Sequence, residues 1–353
     1  MGTVVRFVRS WGPESNKVAL LRNDWKGGVT KPLVIWTVTD DRAGNIAQAE
    51  GLARGILRRR PTQIHARRIT LKPMAAKVPS WLSRRFGVRQ EGWPFSGIET
   101  GREYLEPPWP DLMIGAGRRV APIVAALRRL HGIRAVQLLD PQMKPSAFDA
   151  VIAPEHDELK GKNVIDSVGA LGKLTYADIA LAAKRSSHRF ENLPSPRLAV
   201  LVGGPSKSSG FDMDDGNALA AALERLSRSL ALIVTPSRRT PAALTEIIRG
   251  RLRNTHFVWD GGGENPYPGL LGHASAVLVT ADSVNMASEA ASTGLPVHIF
   301  PVKDLAPKLE RFHWSLEDAG AARPYEGKIE HWTYPPLAEA DRIARVLEER
   351  GII

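Results

Sequence analysis

The sequence predicts an α/β protein with two Rossmann-like domains that face each other across a cleft. Short β-rich apolar runs alternate with helical segments along the chain, a pattern typical of parallel sheets. A length of 353 residues suits two domains of ordinary size. Polar clusters follow nearly every predicted strand in both halves. Because open α/β sheets bind ligands at the carboxyl ends of their strands, these clusters indicate a ligand site in the cleft.

The predicted N-terminal domain covers residues 1–191, and the C-terminal domain covers residues 197–335. Asn192–Arg197, which contains two prolines, is the expected linker. Residues 336–353 are expected to form a helix that packs back on the first domain. The predicted strands are Pro32–Val38, Leu112–Ile114, Arg134–Leu139, Phe148–Ala153, Leu198–Val202, Leu230–Thr235, His256–Val258, Ala276–Thr280 and Val297–Phe300.

Composition restricts the class of protein. The chain has no cysteine, which excludes disulfides and thiolate metal sites and agrees with a reducing compartment. No run approaches the roughly 18 apolar residues of a membrane span, and the N-terminus lacks the apolar core of a signal peptide. We therefore expect a cytoplasmic protein.

The net charge of +11 comes from a basic segment, residues 51–90, which contains eleven Lys and Arg and no acidic residue. Within it, Trp81 and Phe86 alternate with Arg84 and Arg85. Aromatic residues beside arginines suit the headgroups of an anionic membrane, so this segment predicts peripheral contact with its inner face. A solvated helical face is the alternative. Nucleic acid is not expected, because no familiar nucleic-acid motif accompanies the charge.

The stretch Ala276–Phe300 organises the second domain as strand, turn, short helix and strand. Asp282 and Ser283 supply the turn and the helix N-cap, where free amides and the helix dipole favour an anion. Glu289 lies about two turns further along this helix, within reach of ribose hydroxyls. The stretch therefore predicts a nucleotide site.

Two further loops carry phosphate-binding residue types. Gly203, Gly204, Ser206 and Lys207 follow the first strand of the second domain; the glycines let amides approach a phosphate, and the side chains add donors. An ordinary Gly/Ser turn is the alternative reading.

After the next strand come Ser237, Arg238 and Arg239, and the guanidinium fork matches phosphate oxygens. The alternative is a solvent-exposed arginine pair. Asn265 and Tyr267 end the glycine-rich loop after the third strand, and they are candidates either to flank the base or sugar or to serve as turn and core residues.

Together these motifs resemble the donor-nucleotide region of GT-B glycosyltransferases. More closely, the chain resembles the elongate-mitochondria family, which joins a plant mitochondrial-fission factor to bacterial relatives. The resemblance covers roughly Val34 to Phe300 and rests on a G-x-x-x-Q element at Gly44 and Gln48, a GGPS element at Gly203–Ser206, a W-x-G-x-x-x-N-P-Y element ending at Tyr267, and the EA…G-P pattern from Glu289 to Pro296.

Candidates in the first domain are fewer. The candidate catalytic bases follow predicted strands and are Asp40, Asp41, His156 and Asp157. Of these, Asp41 and His156 are the expected bases. Arg118 and Arg119 are expected to bind an anionic or lipid-linked acceptor. Gly115-Ala116-Gly117 also resembles a dinucleotide fingerprint, but Val120 replaces its third glycine. No metal-ligand spacing is evident, and neither a metal nor a cofactor is expected.

The resemblance and the loops imply a glycosyltransferase that moves a sugar from a nucleotide-sugar to a cell-envelope or lipid-linked acceptor. The alternative function is a non-catalytic, membrane-peripheral scaffold of the mitochondrial-fission type. An NAD(P)-dependent sugar-nucleotide enzyme is the third reading.

Overall fold

The computed structural model describes residues 31–78, 92–252, 256–263 and 265–353. The chain forms two compact units. The first extends to Ser167 and also takes in Leu171–Lys173 and Glu339–Ile353. The second comprises Val168–Ala170 and Leu174–Ala338.

The first unit contains a six-stranded parallel sheet in the order β2-β1-β5-β6-β7-β8. Its sheet strands are β1 Leu33–Thr39, β2 Thr62–Arg68, β5 Leu112–Ala116, β6 Arg134–Leu138, β7 Ala150–Pro154 and β8 Val164–Ser167. A separate antiparallel pair is formed by β3 Thr70–Leu71 and β4 Ile98–Thr100. The helices are α1 Ala43–Arg59, α2 Ala121–His131 and α9 Glu339–Glu349.

The second unit contains another six-stranded parallel sheet, in the order β11-β10-β9-β12-β13-β14. This is the doubly wound Rossmann order. Its strands are β9 Arg197–Val202, β10 Ala231–Pro236, β11 Phe257–Val258, β12 Ala276–Thr280, β13 Val297–Phe300 and β14 Ala322–Pro324. Its helices are α3 Tyr176–Phe190, α4 Met213–Leu226, α5 Ala242–Arg251, α6 Tyr267–His273, α7 Val284–Ala291 and α8 Pro307–Asp318.

Both sheets are covered on both faces, which explains why their central strands read as continuous apolar runs. In the first unit, α1 and α9 pack on one face and α2 packs on the other. In the second, α3, α6, α7 and α8 lie on one face, and α4 and α5 lie on the other. This arrangement places every strand-to-helix loop of a sheet at its carboxyl edge.

The division between the units lies between Ser167 and Leu174, not at Asn192–Arg197. The reason is that α3 packs against α6: the ring of His273 contacts the carbonyl of Ala183 at 2.9 Å and the ring of Phe190, with 5.0 Å between the ring centroids. The proline-containing segment therefore joins α3 to β9 within the second unit. Helix α9 returns to the first unit and packs on α1.

Part of the basic segment, residues 51–90, forms regular secondary structure. Its residues 62–68 form β2, an edge strand that pairs with β1 through its full length. Trp81, Arg84, Arg85 and Phe86 lie outside the described residues. Among the described helices, none has both the length and the hydropathy that crossing a membrane requires.

Candidate functional site

The loops after β9 and β12 lie side by side in the second unit. The chain runs outward from β9 to β10 and β11, and then returns to the other side of β9 with β12. Such a reversal of strand order is the usual place for a ligand in an open α/β sheet. Gly203, Gly204, Asp282 and Ser283 therefore come together at this edge.

Asp282 is the centre of a hydrogen-bond network that ties three loops. Its side chain is fully buried, and Oδ2 accepts hydrogen bonds from the amide of Gly204 at 3.0 Å and from Nη2 of Arg239 at 2.7 Å. The other oxygen, Oδ1, accepts one from the hydroxyl of Thr280 at 2.7 Å. Arg239 also donates to the carbonyl of Gly204. The loops after β9, β10 and β12 are thus held as one assembly.

The packing of the neighbouring loops requires glycine at positions 203 and 204. A Cβ on Gly203 would overlap the carboxylate of Asp282, and one on Gly204 would overlap the carbonyl of Arg239. The amide of Gly203 donates to Thr280 Oγ1 at 2.8 Å, and that of Gly204 is taken by Asp282. Both amides expected to face a phosphate therefore have partners within the chain.

The loop after β10 is a closed turn. The amide of Ser237 donates to Thr240 Oγ1 at 2.8 Å, and the hydroxyl of Ser237 accepts the amide of Arg239 at 3.2 Å. Thr240 Oγ1 in turn contacts the carbonyls of Val202 at 2.8 Å and Gly203 at 2.6 Å. Sequence reasoning missed Thr240 and Thr280. The signal for Thr280 was its position at the end of β12, and the signal for Thr240 was its place in the loop after β10, next to Arg239.

Two cations remain exposed beside this network. Lys207 lies at the tip of a tight turn closed by a bridge between Ser206 and Ser209. Arg238 is exposed on the loop after β10. Within the described part of the chain, neither side chain forms an ion pair. Arg239, by contrast, serves to hold Asp282.

Helix α7 begins as expected, with Ser283 as its N-cap: the hydroxyl accepts the amide of Met286 at 3.5 Å. Glu289 lies on this helix close to the Tyr267 phenol. Burial raises the pKa of Tyr267 well above its usual range, and the Glu289 carboxylate raises it further. Asn265 accepts the amide of Tyr267 at 2.9 Å, so its side chain fixes the start of α6. The structure therefore brings Tyr267 and Glu289 together.

His313 on α8 is a buried neighbour of the network that the sequence did not indicate. Burial lowers the pKa of His313 to about 4, opposed by a hydrogen bond with the Ala281 backbone and by the charge of Asp282. An uncharged imidazole therefore lies close to the Asp282 carboxylate at neutral pH.

The predicted bases of the first unit have different environments. Asp41 is exposed after β1, where Oδ2 accepts the hydroxyl of Thr70 at 3.2 Å. His156 follows β7 and has only 2% of its side chain exposed; Nε2 lies 3.9 Å from the Asp157 carboxylate. Its burial argues against His156 as a base that meets a substrate directly.

The arginines predicted for the acceptor follow β5. Nη1 of Arg118 donates to Gln142 at 3.3 Å, and Nη1 of Arg119 lies 4.0 Å from Asp40. Asp40 is buried and Arg119 partly exposed. In the described ranges, no group of three or more His, Asp or Glu residues is arranged to hold a metal ion.

Solved structures show the fold. UDP-GlcNAc 2-epimerase from Methanocaldococcus jannaschii aligns with a TM-score of 0.56 and 14% identity, over 90% of this chain and 100% of that one. The same enzyme in complex with UDP-GlcNAc and UDP aligns with a TM-score of 0.52 and 13% identity, over 90% and 100%. This similarity shows the GT-B-type fold expected from the sequence.

Sequence relatives show the family. Mitochondrial fission protein ELM1 of Arabidopsis thaliana is 30% identical over 72% of this chain and 68% of its own length. Uncharacterized protein RP120 of Rickettsia prowazekii (strain Madrid E) is 28% identical over 89% and 97%. A family profile described as Mitochondrial fission ELM1 matches residues 43–350. The chain therefore belongs to the mitochondrial fission ELM1 family.

Proposed function

We propose that the chain is a GT-B-type glycosyltransferase whose second unit binds the diphosphate of a nucleotide-sugar. The observation that carries the proposal is the network centred on Asp282, which joins the loops after β9, β10 and β12. These loops meet at the switch point of the sheet, the place beside β9 where the strand order reverses. A rigid loop assembly suits electrostatic stabilisation of a departing diphosphate, because its donors need no reorganisation during the reaction.

The residues that contact the diphosphate differ from those that build the assembly. Asp282, Arg239, Gly203 and Gly204 satisfy one another, so we assign them to positioning the loops. Lys207 and Arg238 are exposed beside them and supply the positive charge. Helix α5 adds an N-terminus without a side-chain cap or an acidic first turn, which favours an anion.

Glu289 is proposed to bind the ribose hydroxyls, with Tyr267 and Asn265 beside the base or the sugar. The proximity of Glu289 and Tyr267 supports this part of the site, since one carboxylate would then face both the phenol and the ribose. The proposed acceptor is an anionic or lipid-linked molecule bound through Arg118 and Arg119 of the first unit. No cofactor or metal is part of the proposal.

The first test is calorimetric titration of the full chain with UDP, GDP, ADP, CDP and dTDP. UDP is the leading probe because one of the epimerase structures contains it. We expect at least one nucleoside diphosphate to bind and Arg238→Gln to weaken it about tenfold, which corresponds to about 1.4 kcal/mol.

Arg228→Gln is the matched control. Arg228 is also exposed, but it lies between α4 and β10, at the amino edge of the same sheet. The control should bind as the wild type does. Failure of every nucleotide to bind, or equal weakening by both substitutions, would contradict the donor site.

A non-catalytic scaffold at a membrane surface is the alternative, favoured by the mitochondrial fission name of the plant relative. It predicts binding to anionic phospholipid vesicles without sugar transfer from any nucleotide-sugar. Sedimentation with such vesicles tests it, with Arg84→Glu and Arg85→Glu introduced together. Nucleotide-dependent transfer that is insensitive to these two substitutions would reject the scaffold.

A further inference from the structure

The first unit has a switch point of its own. From β1 the chain runs outward to β2 and then returns on the other side of β1 with β5. The loop after β5 contacts the start of α1 there: Gly117 has a φ of +89°, and a Cβ on it would overlap the side-chain amide of Asn45. The starts of α1 and α2 are thus close neighbours.

Both helix starts suit an anion. Helices α1 and α2 have no side-chain cap and no acidic residue in the first turn. Helix α4 is the contrast, because Asp212 and Asp215 form a capping box at its start. The ammonium group of Lys303 also donates to Asp212 at 3.2 Å. An uncapped N-terminus leaves amide donors for a ligand or for water. Helix α2 offers fewer of them than α1, because Pro122 has no N–H and the amide of Ile123 donates to the carbonyl of Val120 at 3.0 Å.

Arginines surround these helix starts. The loops after β1 and β5 carry three arginines, Arg42, Arg118 and Arg119, and two aspartates, Asp40 and Asp41. Their formal net charge is therefore +1. The side chains of Arg42 and Arg119 are 53% and 37% exposed. Part of each arginine side chain is therefore accessible from solvent.

Asp40 is an incompletely bonded carboxylate among these cations. Its Oδ1 accepts the side-chain amide of Asn45 at 2.8 Å and the amide of Arg42 at 3.3 Å. Its Oδ2 is buried without a hydrogen-bond donor among the described residues, and Arg119 Nε is buried without an acceptor. The closest cationic atoms are Arg42 Nε at 3.6 Å and Arg119 Nη1 at 4.0 Å.

Asp282 in the second unit shows what a satisfied carboxylate at a switch point looks like, with three donors at 2.7–3.0 Å. Oδ2 of Asp40 has only the two guanidinium groups at 3.6 and 4.0 Å, and it has no donor at hydrogen-bond distance among the described residues. A buried carboxylate oxygen without a hydrogen bond is costly, so such an atom points to a ligand or an ordered water.

We propose that the first unit binds a phosphorylated, hydroxyl-bearing ligand at the switch point between β1 and β5. The phosphate lies against Arg42, Arg119 and the starts of α1 and α2. A hydroxyl of the same ligand donates to Oδ2 of Asp40, which becomes available when the two arginines turn toward the phosphate. As a statement about the acceptor, this inference rests on the proposed transfer reaction, and it specifies the acceptor as a phosphorylated molecule with a hydroxyl group. The binding test itself does not depend on nucleotide binding.

The test compares sn-glycerol 1-phosphate, inorganic phosphate and glycerol as probes for the full chain, with affinities measured by NMR titration. We expect glycerol 1-phosphate to bind at least fivefold more tightly than inorganic phosphate, and glycerol alone to bind least. Asp40→Asn should abolish this preference, and Arg119→Gln should weaken both phosphates at least fivefold.

Three control variants test whether the preference belongs to Asp40 and its neighbouring arginines. Arg129→Gln changes an exposed arginine at the far end of α2 and should leave every affinity unchanged. Asp41→Asn tests the neighbouring exposed carboxylate and should keep the preference. Arg238→Gln identifies any phosphate bound by the second unit, and it should also keep the preference.

Equal binding of the two phosphates by the wild type would overturn the role of Asp40 and indicate an internal water at Oδ2. The site itself is rejected if no phosphate binds or if Arg119→Gln binds as the wild type does. Circular dichroism of each variant establishes that a lost preference is not a loss of fold.

Discussion

At the scale of single residues, one buried carboxylate determines the shape of the candidate donor site. Asp282 is fully buried and gains its stability from the amide of Gly204, the hydroxyl of Thr280 and Arg239. A buried ion pair is weak evidence for net stability, but removing one partner leaves an uncompensated group. The three loops are therefore expected to depend on Asp282.

We expect Asp282→Asn to lower the free energy of unfolding by roughly 2–4 kcal/mol, because asparagine has one acceptor oxygen for the donors of Gly204, Thr280 and Arg239 and has no charge to attract Arg239. Urea unfolding measures this change. Asp260→Asn is the control: Asp260 is exposed and accepts a local hydrogen bond from Gly262. If both substitutions cost the same, Asp282 does not organise the loops.

His313 makes stability depend on pH. Its pKa is lowered by burial from 6.5 to about 4, so the unfolded chain binds the proton more readily than the folded one. The contribution of His313 is thus fully present above pH 6.5 and is lost as pH falls toward 4, by about 3 kcal/mol in all. We expect His313→Asn, which does not titrate, to lose less stability than the wild type between pH 7 and pH 4.5.

Urea unfolding at both pH values gives the difference. Subtracting the stability loss of the variant from that of the wild type cancels the contributions of the other histidines. A wild-type loss equal to that of His313→Asn would contradict the assignment.

The meaning of the glycine pair could not be predicted from the sequence. The pattern Gly203-Gly204 indicates close approach to the backbone, and the structure shows such an approach. However, the approaching groups are the carboxylate of Asp282, 78 residues further along the chain from Gly204, and the carbonyl of Arg239, 35 residues further. Spacing alone gives no means of distinguishing an internal anion from a phosphate.

At the scale of elements, the buried strands were predictable and the partners of the helices were not. Ala276–Thr280 and Val297–Phe300 are strands with the expected bounds, because a parallel sheet covered on both faces requires continuous apolar runs. Edge strand β2 has exposed and polar positions, so its sequence TQIHARR gave no such signal. The capping box of α3 at Thr175 and Asp178 marks where this helix begins but not which sheet it packs on.

Helix α1 contains two glycines that the packing requires. A Cβ on Gly51 would overlap the carbonyl of Leu171, and one on Gly55 would overlap the carbonyl of Ala340. Alanine normally favours a helix over glycine by about 1 kcal/mol, but a clash with backbone cannot be relieved by a rotamer change. We therefore expect Gly51→Ala and Gly55→Ala to destabilise the chain by about 1–3 kcal/mol in urea unfolding.

Gly250 in α5 is the matched control for these two substitutions. A Cβ there would have nothing within 4 Å, so Gly250→Ala should be neutral or stabilising by up to about 1 kcal/mol. The packing argument fails if Gly55→Ala stabilises the chain as Gly250→Ala does.

At the scale of the whole molecule, the C-terminal helix completes the first unit although it follows the second in sequence. Ile343, Ala344 and Leu347 of α9 are fully buried in the same core as Leu52 and Ile56 of α1. Arg58 pairs with Asp341 at 2.6 Å, and Arg59 pairs with Glu348. The chain therefore closes its first core only when residues 339–353 are present.

We expect Leu347→Ala to weaken the first unit selectively, by about 2–5 kcal/mol for a fully buried leucine. Hydrogen exchange measures the effect segment by segment: amides of α1 and β1 should lose protection, while those of α4 and β10 keep it. Leu223→Ala in α4, also fully buried, is the reciprocal control and should reduce protection in the second unit. If Leu347→Ala reduces protection equally in β1 and β10, the two units unfold as a single cooperative structure, and the C-terminal helix stabilises the whole chain rather than the first core.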